Sequence, residues 1–354
     1  MLFEPLPLKN FVIPNRIVVS PMCQYTAEHG YANSWHLAHL GQFAIGRAGA
    51  VIQEATAVRP EGRISYGDMG LWEDGQIEPL REITAFIKSQ GSIPGIQLAH
   101  AGRKASTDKP WIGKNQFKPN EEHGWQTVAP SPIPYYPDEH APKELTIAEI
   151  KDLVQAFQDA ARRAVLAGFQ IIELHAAHGY LIHQFLSPLC NFRTDEYGGS
   201  FDNRIRFLEE IVRSVKAVLG DSHSLWVRIS ATDWAAGGWD ENQSIELVKR
   251  LQSLGVEVMD ISSGGAVREQ RINVGPGYQV PFATAIKKST GIVTGAVGLI
   301  TNAGQAQEIL EQGAADFVLI GRSFLRNPHL VLQWAKDLDV PIAWPVQYER
   351  AKAQ

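Results

Sequence analysis

The sequence predicts a (β/α)₈ barrel with one long excursion after its third strand. Three observations point there. Eight short β-branched runs recur along the chain, amphipathic helical stretches separate them, and the turns after the last two runs are rich in glycine. By average domain size the 354 residues would form two units, but barrels of about 200 to over 400 residues are single units. Eight repeats suit a closed barrel better than an open sheet. Residues 1–340 therefore read as one barrel, with 100–145 as a lid or capping excursion and 341–354 as a tail.

The expected strands are residues 17–20, 50–54, 93–98, 169–174, 225–229, 256–261, 292–294 and 317–320. The clearest helix begins at Thr146, which forms a capping box with Glu149. Ile150, Leu153, Val154 and Phe157 give it an apolar face, and Gly168 can end it. Asp240 before Ile245, Leu247, Val248 and Leu251 repeats the plan, as does Thr301 before Ala306, Ile309 and Leu310. Residues 100–145 interrupt it with seven prolines and no helical period. Such a length is unusual for a mere connection. Trp111, Phe117, Trp125, Tyr135 and Tyr136 supply more aromatic surface than a disordered segment usually carries.

Composition removes several functions. With a formal charge of −5 and no block of like charges, the chain offers no basic stripe for nucleic acid or an anionic membrane. It has neither a signal-peptide pattern nor a run of about eighteen apolar residues, so a cytoplasmic protein is expected. Its two cysteines, Cys23 and Cys190, lack metal-ligand spacing, which argues against a disulfide framework, zinc or an iron–sulfur cluster.

In a barrel, chemistry gathers at the C-terminal ends of the strands, and here those ends are polar. The first gives Ser20, Pro21, Met22 and Cys23 with Tyr25 beyond; the second Glu54, Ala55 and Thr56; the third Gln97 and His100. The fourth runs into His175, His178 and Tyr180, and the fifth carries Arg228. Gly295 and Gly298 follow the seventh, Gly321 and Arg322 the eighth. Glycine turns beside an arginine suit a phosphate, though each glycine alone could simply end a strand. His175 and His178 lack a third ligand at metal spacing. They could hold a carbonyl oxygen in the manner of an oxyanion hole, or be core histidines. Tyr180, with an ordinary phenol pKa of about 10, would donate a proton at neutral pH. Arg228 in a core strand needs either an anionic ligand or a structural carboxylate.

Four segments in barrel order give the chain a close resemblance to the Old Yellow Enzyme family, in its thermophilic-like bacterial branch of NADPH dehydrogenases and xenobiotic reductases. They are S-P-M-C-Q-Y at 20–25, Q-L-A-H-A-G-R-K at 97–104, E-L-H-A-A-H-G-Y-L-I-H-Q-F-L-S-P at 173–188 and N-x-R-x-D-x-Y-G-G-S-x-x-N-R at 191–204. The resemblance implies FMN as cofactor and NADPH or NADH as reductant, with no resident metal. It places Ser20, Pro21, Met22, Cys23, Ala55 and Gln97 along the flavin, with Cys23 tuning its potential. Arg228 would face the pyrimidine side, and Gly298, Gly321 and Arg322 would hold the phosphate. His175 and His178 would bind the substrate oxygen, Tyr180 would protonate Cα after hydride reaches Cβ, and Tyr25 would touch the substrate. Lys104 belongs near the mouth. The expected reaction is ping-pong reduction of an activated C=C bond, with one pocket serving both nicotinamide and substrate.

The branch often carries a C-terminal arginine that enters the neighbouring subunit's site. Arg350 fits that part, implying a homodimer or homotetramer, although Ala351, Lys352, Ala353 and Gln354 follow it where an aromatic residue is common. Two other readings compete. A phosphate-binding aldolase or isomerase would need a barrel lysine or carboxylate base, and Lys104 is the obvious lysine beside the motifs. A non-catalytic flavin-binding protein would leave the His175, His178 and Tyr180 set without work.

Overall fold

A computed structural model describes residues 1–113 and 115–352. Lys114 in the predicted excursion and Ala353 and Gln354 in the predicted tail lie outside the described residues. The fold is a (β/α)₈ TIM barrel. Its strands are β1 (Ile17–Val19), β2 (Ala50–Ala57), β3 (Ile93–Ala99), β4 (Ile171–Ala176), β5 (Ser224–Ser230), β6 (Val258–Ser262), β7 (Val293–Ala296) and β8 (Phe317–Ile320). They pair in parallel in sequence order, and the ring closes where Val318 of β8 meets Ile17 of β1. One helix follows each strand on the outside: α1 (Ser34–Ile45), α2 (Ile77–Ser89), α3 (Ile147–Leu166), α4 (Phe201–Lys216), α5 (Glu241–Ser253), α6 (Val280–Thr290), α7 (Ala303–Glu311) and α8 (Leu330–Asp337).

The expected caps explain where helices start. Glu149 N–H donates to the Thr146 hydroxyl at 3.3 Å while Thr146 N–H donates to the Glu149 carboxylate at 2.9 Å, and Gly168 leaves α3 at φ +93°. Asp240 accepts from Gln243 N–H at 2.9 Å to open α5. At α7 the cap is Asn302, not Thr301: the Asn302 amide oxygen accepts from Gln305 N–H at 2.9 Å.

The strand alternation builds two layers inside the barrel. Val18, Ile52, Ile171, Trp226, Val258, Phe317 and Leu319 make an apolar floor. A short N-terminal hairpin, Leu6–Pro7 paired with Val12–Ile13, plugs it with Leu6 and Ile13. Two residues further along the strands the same face turns polar, giving Ser20, Glu173, Arg228 and Asp260. A register shift between Gln53 and Ala55 breaks the alternation in β2, so that Ala55 comes opposite Gln97. The floor excludes water; the ceiling is where ligands can be held.

The excursion has little regular structure of its own beyond a short pairing of Val128–Ala129 with Lys143–Glu144. It is nevertheless tied to the loop after β2. Thr107 N–H donates to Ile64 carbonyl at 2.8 Å, and the Trp125 indole to Glu61 carbonyl at 2.8 Å.

Candidate active site

Three rings from the end of β4 and the loop after it converge at the barrel mouth. The His175 and His178 centroids are 5.1 Å apart and nearly perpendicular, and Tyr180 lies 5.0 Å from His175. His175 is the inward-facing end of β4. His178 and Gly179 then take left-handed backbone angles, φ +59° and +72°, which fold the loop back so that Tyr180 returns over the strand. Burial, with Arg228 next, holds both imidazoles well below their usual range, so both are neutral near pH 7 and each has one N–H to give. Nδ1 of His175 is buried with no partner among the described residues. His178 is already engaged, its Nε2 standing 2.7 Å from the Ser262 hydroxyl. Ser262 Oγ donates to the Gln279 amide oxygen at 3.2 Å and so accepts from His178 Nε2, and a ligand oxygen must displace the serine to receive that N–H.

Across the mouth lies the segment after β1. Tyr25 holds a left-handed backbone at φ +53°. The buried Glu54 helps fix it there, its carboxylate accepting from Gln24 N–H at 2.8 Å. Burial raises the Cys23 thiol well above its usual range, and the carboxylates of Asp68 and Glu54 raise it further. Cys23 is therefore a neutral thiol. Burial, then the neighbouring Cys23, likewise raises the phenols of Tyr25 and Tyr180, leaving two protonated hydroxyls facing one space. The edge of Trp111, from the excursion, meets Tyr25 with ring centroids 6.0 Å apart.

Beneath the mouth, Arg228 Nε faces Asp260 Oδ2 at 3.2 Å across adjacent strands, and Nη1 donates to Ser20 Oγ at 3.2 Å. The structural ion pair weighed against a ligand role is thus present. It is incomplete, because Arg228 Nε and both Asp260 oxygens have no aligned hydrogen-bond partner among the described residues. Gln97 donates to Glu173 at 2.8 Å, and the second Glu173 oxygen is also unpaired. Burial raises both carboxyls above the usual range, Arg228 opposing. Groups this buried and this poorly paired suit a polar ligand over them.

Beside Arg228 opens a cavity of about 370 Å³, lined by Ser20, Met22, Gly298, Gly321 and Arg322 among others. With Arg228, these residues, predicted from four separate stretches, share one space. Gly298 sits at φ +120°, and a Cβ there would stand 2.9 Å from the Gln279 amide, so only glycine leaves this wall open. Ser262, Tyr278 and Gln279 also line it and escaped the sequence reading. The G-P-G-Y-Q turn at 275–279 was the signal for Tyr278 and Gln279. An arginine, glycine backbone and hydroxyls at one end, with Gln97 and Arg228 toward the other, fit an elongated cofactor with a phosphate and a polar ring edge, as FMN has.

Lys104 is at the mouth, but its ammonium is occupied. It donates to the carbonyls of His178 at 2.8 Å and Gly265 at 3.3 Å and lies over the Tyr180 and Tyr135 rings. Burial and the like charge of Arg103 lower it to about 8. A lysine that ties two loops together is poorly placed as a Schiff-base nucleophile, which removes the main support for an aldolase. Arg350 lies exposed in the 3₁₀ turn Val346–Ala351. Among the described residues no hydrogen bond or ion pair joins it to the mouth of its own chain. No group of histidine, cysteine and carboxylate side chains among the described residues could hold a metal ion, and no described helix is long and apolar enough to cross a membrane.

Comparison with known proteins bears on the family and the fold. Residues 1–340 match the NADH:flavin oxidoreductase / NADH oxidase family. An NADPH dehydrogenase of Geobacillus thermodenitrificans (strain NG80-2) is 49% identical over 352 residues, covering 99% of this chain and 98% of that protein. Morphinone reductase in complex with tetrahydroNAD superposes with a TM-score of 0.79 at 28% identity, over 97% of this chain and 92% of that one. The old yellow enzyme homologue from Zymomonas mobilis gives 0.76 at 27%, over 98% and 94%.

Proposed function

The chain belongs to the NADH:flavin oxidoreductase / NADH oxidase family, and from that premise we propose that it is an ene-reductase acting on α,β-unsaturated carbonyl and related electron-poor compounds. It is an FMN-dependent NADPH dehydrogenase of the old yellow enzyme type. FMN, when bound, supplies the hydride chemistry. The protein's part is to orient, to polarise and to move one proton. We assign Ser20, Pro21, Met22, Cys23, Ala55, Gln97 and Arg228 to the flavin ring and Gly298, Gly321 and Arg322 to its phosphate.

The observation that carries the reading is the convergence of His175, His178 and Tyr180 on one point above the polar layer. Two neutral imidazole N–H groups can hold a substrate oxygen and stabilise the negative charge that grows on it as Cβ receives hydride. Tyr180 keeps its proton because burial disfavours the phenolate, and its hydroxyl then gives that proton to Cα. Tyr25 closes the other side of the same space, and Cys23 acts there as a neutral thiol. One pocket serves nicotinamide and substrate in turn, so the reaction is ping-pong. The excursion acts as a lid through Trp111, and Arg350 serves a neighbouring subunit of a cytoplasmic homo-oligomer.

The test is an anaerobic spectrum of the FMN-loaded protein before and after NADPH, and again after cyclohexenone. Bleaching of the flavin bands followed by recovery is expected. Bleaching without recovery on any enone, maleimide or nitroalkene would leave an NADPH dehydrogenase and remove the ene-reductase assignment.

A further inference from the structure

The turn that carries His178 and Tyr180 is held by side chains that cannot themselves reach a ligand. Gly179, at its centre, donates its N–H to His183 Nδ1 at 2.8 Å and accepts at its carbonyl from Gln184 Nε2 at 2.7 Å. His178 donates its N–H to Ser230 Oγ at 2.9 Å. Both His183 and Gln184 are fully buried in the short helix Leu181–Leu186. The turn also has little room to relax, because a Cβ on Gly179 would lie 1.9 Å from the Gly265 carbonyl oxygen. A shift of this peptide would carry both donor rings with it.

His183 has a second neighbour. Its Nε2 stands 2.9 Å from Asp233 Oδ1, a charge contact without hydrogen-bond alignment, and both residues are fully buried. Because Nδ1 accepts from Gly179, the ring proton belongs on Nε2, facing the carboxylate. Asp233 is anchored in turn by Ser187 Oγ at 2.6 Å and by Trp239 N–H at 2.8 Å. Burial works against its charge, yet the adjacent His183 ring and the bonds from Ser187 and Trp239 keep its carboxyl below the usual range. The loop after β5 thus sets a carboxylate beside the N–H of a histidine after β4 whose tautomer the Gly179 peptide fixes.

We infer that Asp233 and His183 are positioning residues, which place His178 and Tyr180 by fixing the Gly179 peptide through one imidazole of defined tautomer. The geometry stands alone, while its link to catalysis rests on the donor roles proposed above. Neither His183 nitrogen is left to touch a substrate, so the effect is transmitted only through the turn.

Two substitutions separate the two ends of the ring. Asparagine places a carbonyl oxygen where His183 has Nδ1, so His183→Asn can keep the Gly179 bond while losing Asp233. Glutamine carries its polar end where Nε2 lies, so His183→Gln keeps a donor for Asp233 and loses the acceptor for Gly179. Amide exchange of Gly179, followed by mass spectrometry on overlapping peptides, should rise roughly tenfold or more in His183→Gln and by less than about threefold in His183→Asn, the difference of one hydrogen bond. Phenol affinity of the FMN-loaded enzyme should fall by a similar roughly tenfold factor in His183→Gln alone. Asp233→Asn, which keeps His183 in place, should raise Gly179 exchange severalfold and serves if a position-183 variant fails to fold. Equal exchange in the two His183 variants, or an unchanged rate in Asp233→Asn, overturns the positioning role. If the exchange contrast holds but wild type binds no phenol, the donor reading falls and the positioning of the turn stands.

Discussion

Arg228 and Asp260 face each other across adjacent barrel strands, Nε to Oδ2 at 3.2 Å, with both side chains buried and the N–H poorly aligned. The pair therefore leaves guanidinium capacity unused. Charge on a bound flavin and the Asp260 carboxylate would compete for the same cation. Asp260→Asn removes one competitor, and the FMN midpoint potential should rise by roughly 30–60 mV, as expected for a buried charge acting over several ångströms. Spectroelectrochemistry of variant and wild type checks this, and an unchanged or lowered potential would place the flavin away from Arg228.

Glu173 shares the layer and has an unpaired oxygen. Burial raises its folded-state pKa, with Asp260 adding to the effect. The folded state therefore binds the proton more tightly than the unfolded chain, whose carboxyl has a pKa of about 4.3. The associated stability is fully present below that value and is lost as pH rises through the higher folded value. Thermal unfolding of the apoprotein should show a Tm that declines from about pH 5 upward, less steeply in Glu173→Gln. Parallel profiles would show that Glu173 is ionised in the fold.

Tyr180→Phe should slow reoxidation by an enone roughly 10²- to 10⁴-fold while leaving reduction by NADPH within about twofold. Stopped-flow measurement of each half-reaction decides it. Equal slowing of both would mean that the phenol orients ligands and does not donate the proton.

His175→Ala should weaken binding of phenols, whose oxygen resembles the enolate, by about 10- to 100-fold. The remaining imidazole, His178, is shared with Ser262. Ser262→Ala in the same background releases it and should recover part of the affinity. Phenol titration followed by long-wavelength flavin absorbance measures both.

Arg350 is exposed in its own chain. If it serves a neighbour, Arg350→Ala and Tyr180→Phe, each nearly inactive, should restore activity when their subunits are exchanged, because one site of each mixed dimer has both groups. Activity that never exceeds the sum of the separate variants, in demonstrated mixed dimers, would assign Arg350 no role in trans.

Much of this molecule is legible without coordinates, for a physical reason. Strand and helix periods, caps such as Thr146 with Glu149, and glycine turns act over a few residues. They were enough to count eight β/α units, and a barrel then sends every strand end to one mouth. That topology is how Ser20, Gln97, His175, Arg228 and Gly298 could be grouped from positions far apart in the chain. The N-terminal plug of Leu6 and Ile13 was missed, because a hairpin of two-residue strands carries no period.

What only the tertiary structure decided is pairing at a distance. Sequence marked Arg228 as needing an anion, but the choice of Asp260 depends on the β5–β6 register. It offered Lys104 as a candidate nucleophile, and the carbonyls of His178 and Gly265 turn it into a tie between loops. It gave no hint that Ser262 sets the tautomer of His178, or that Asp233 orders His183. Local propensities determine which elements form; the partner of each buried polar atom is settled only when the barrel closes and the cost of leaving that atom unpaired selects the neighbour.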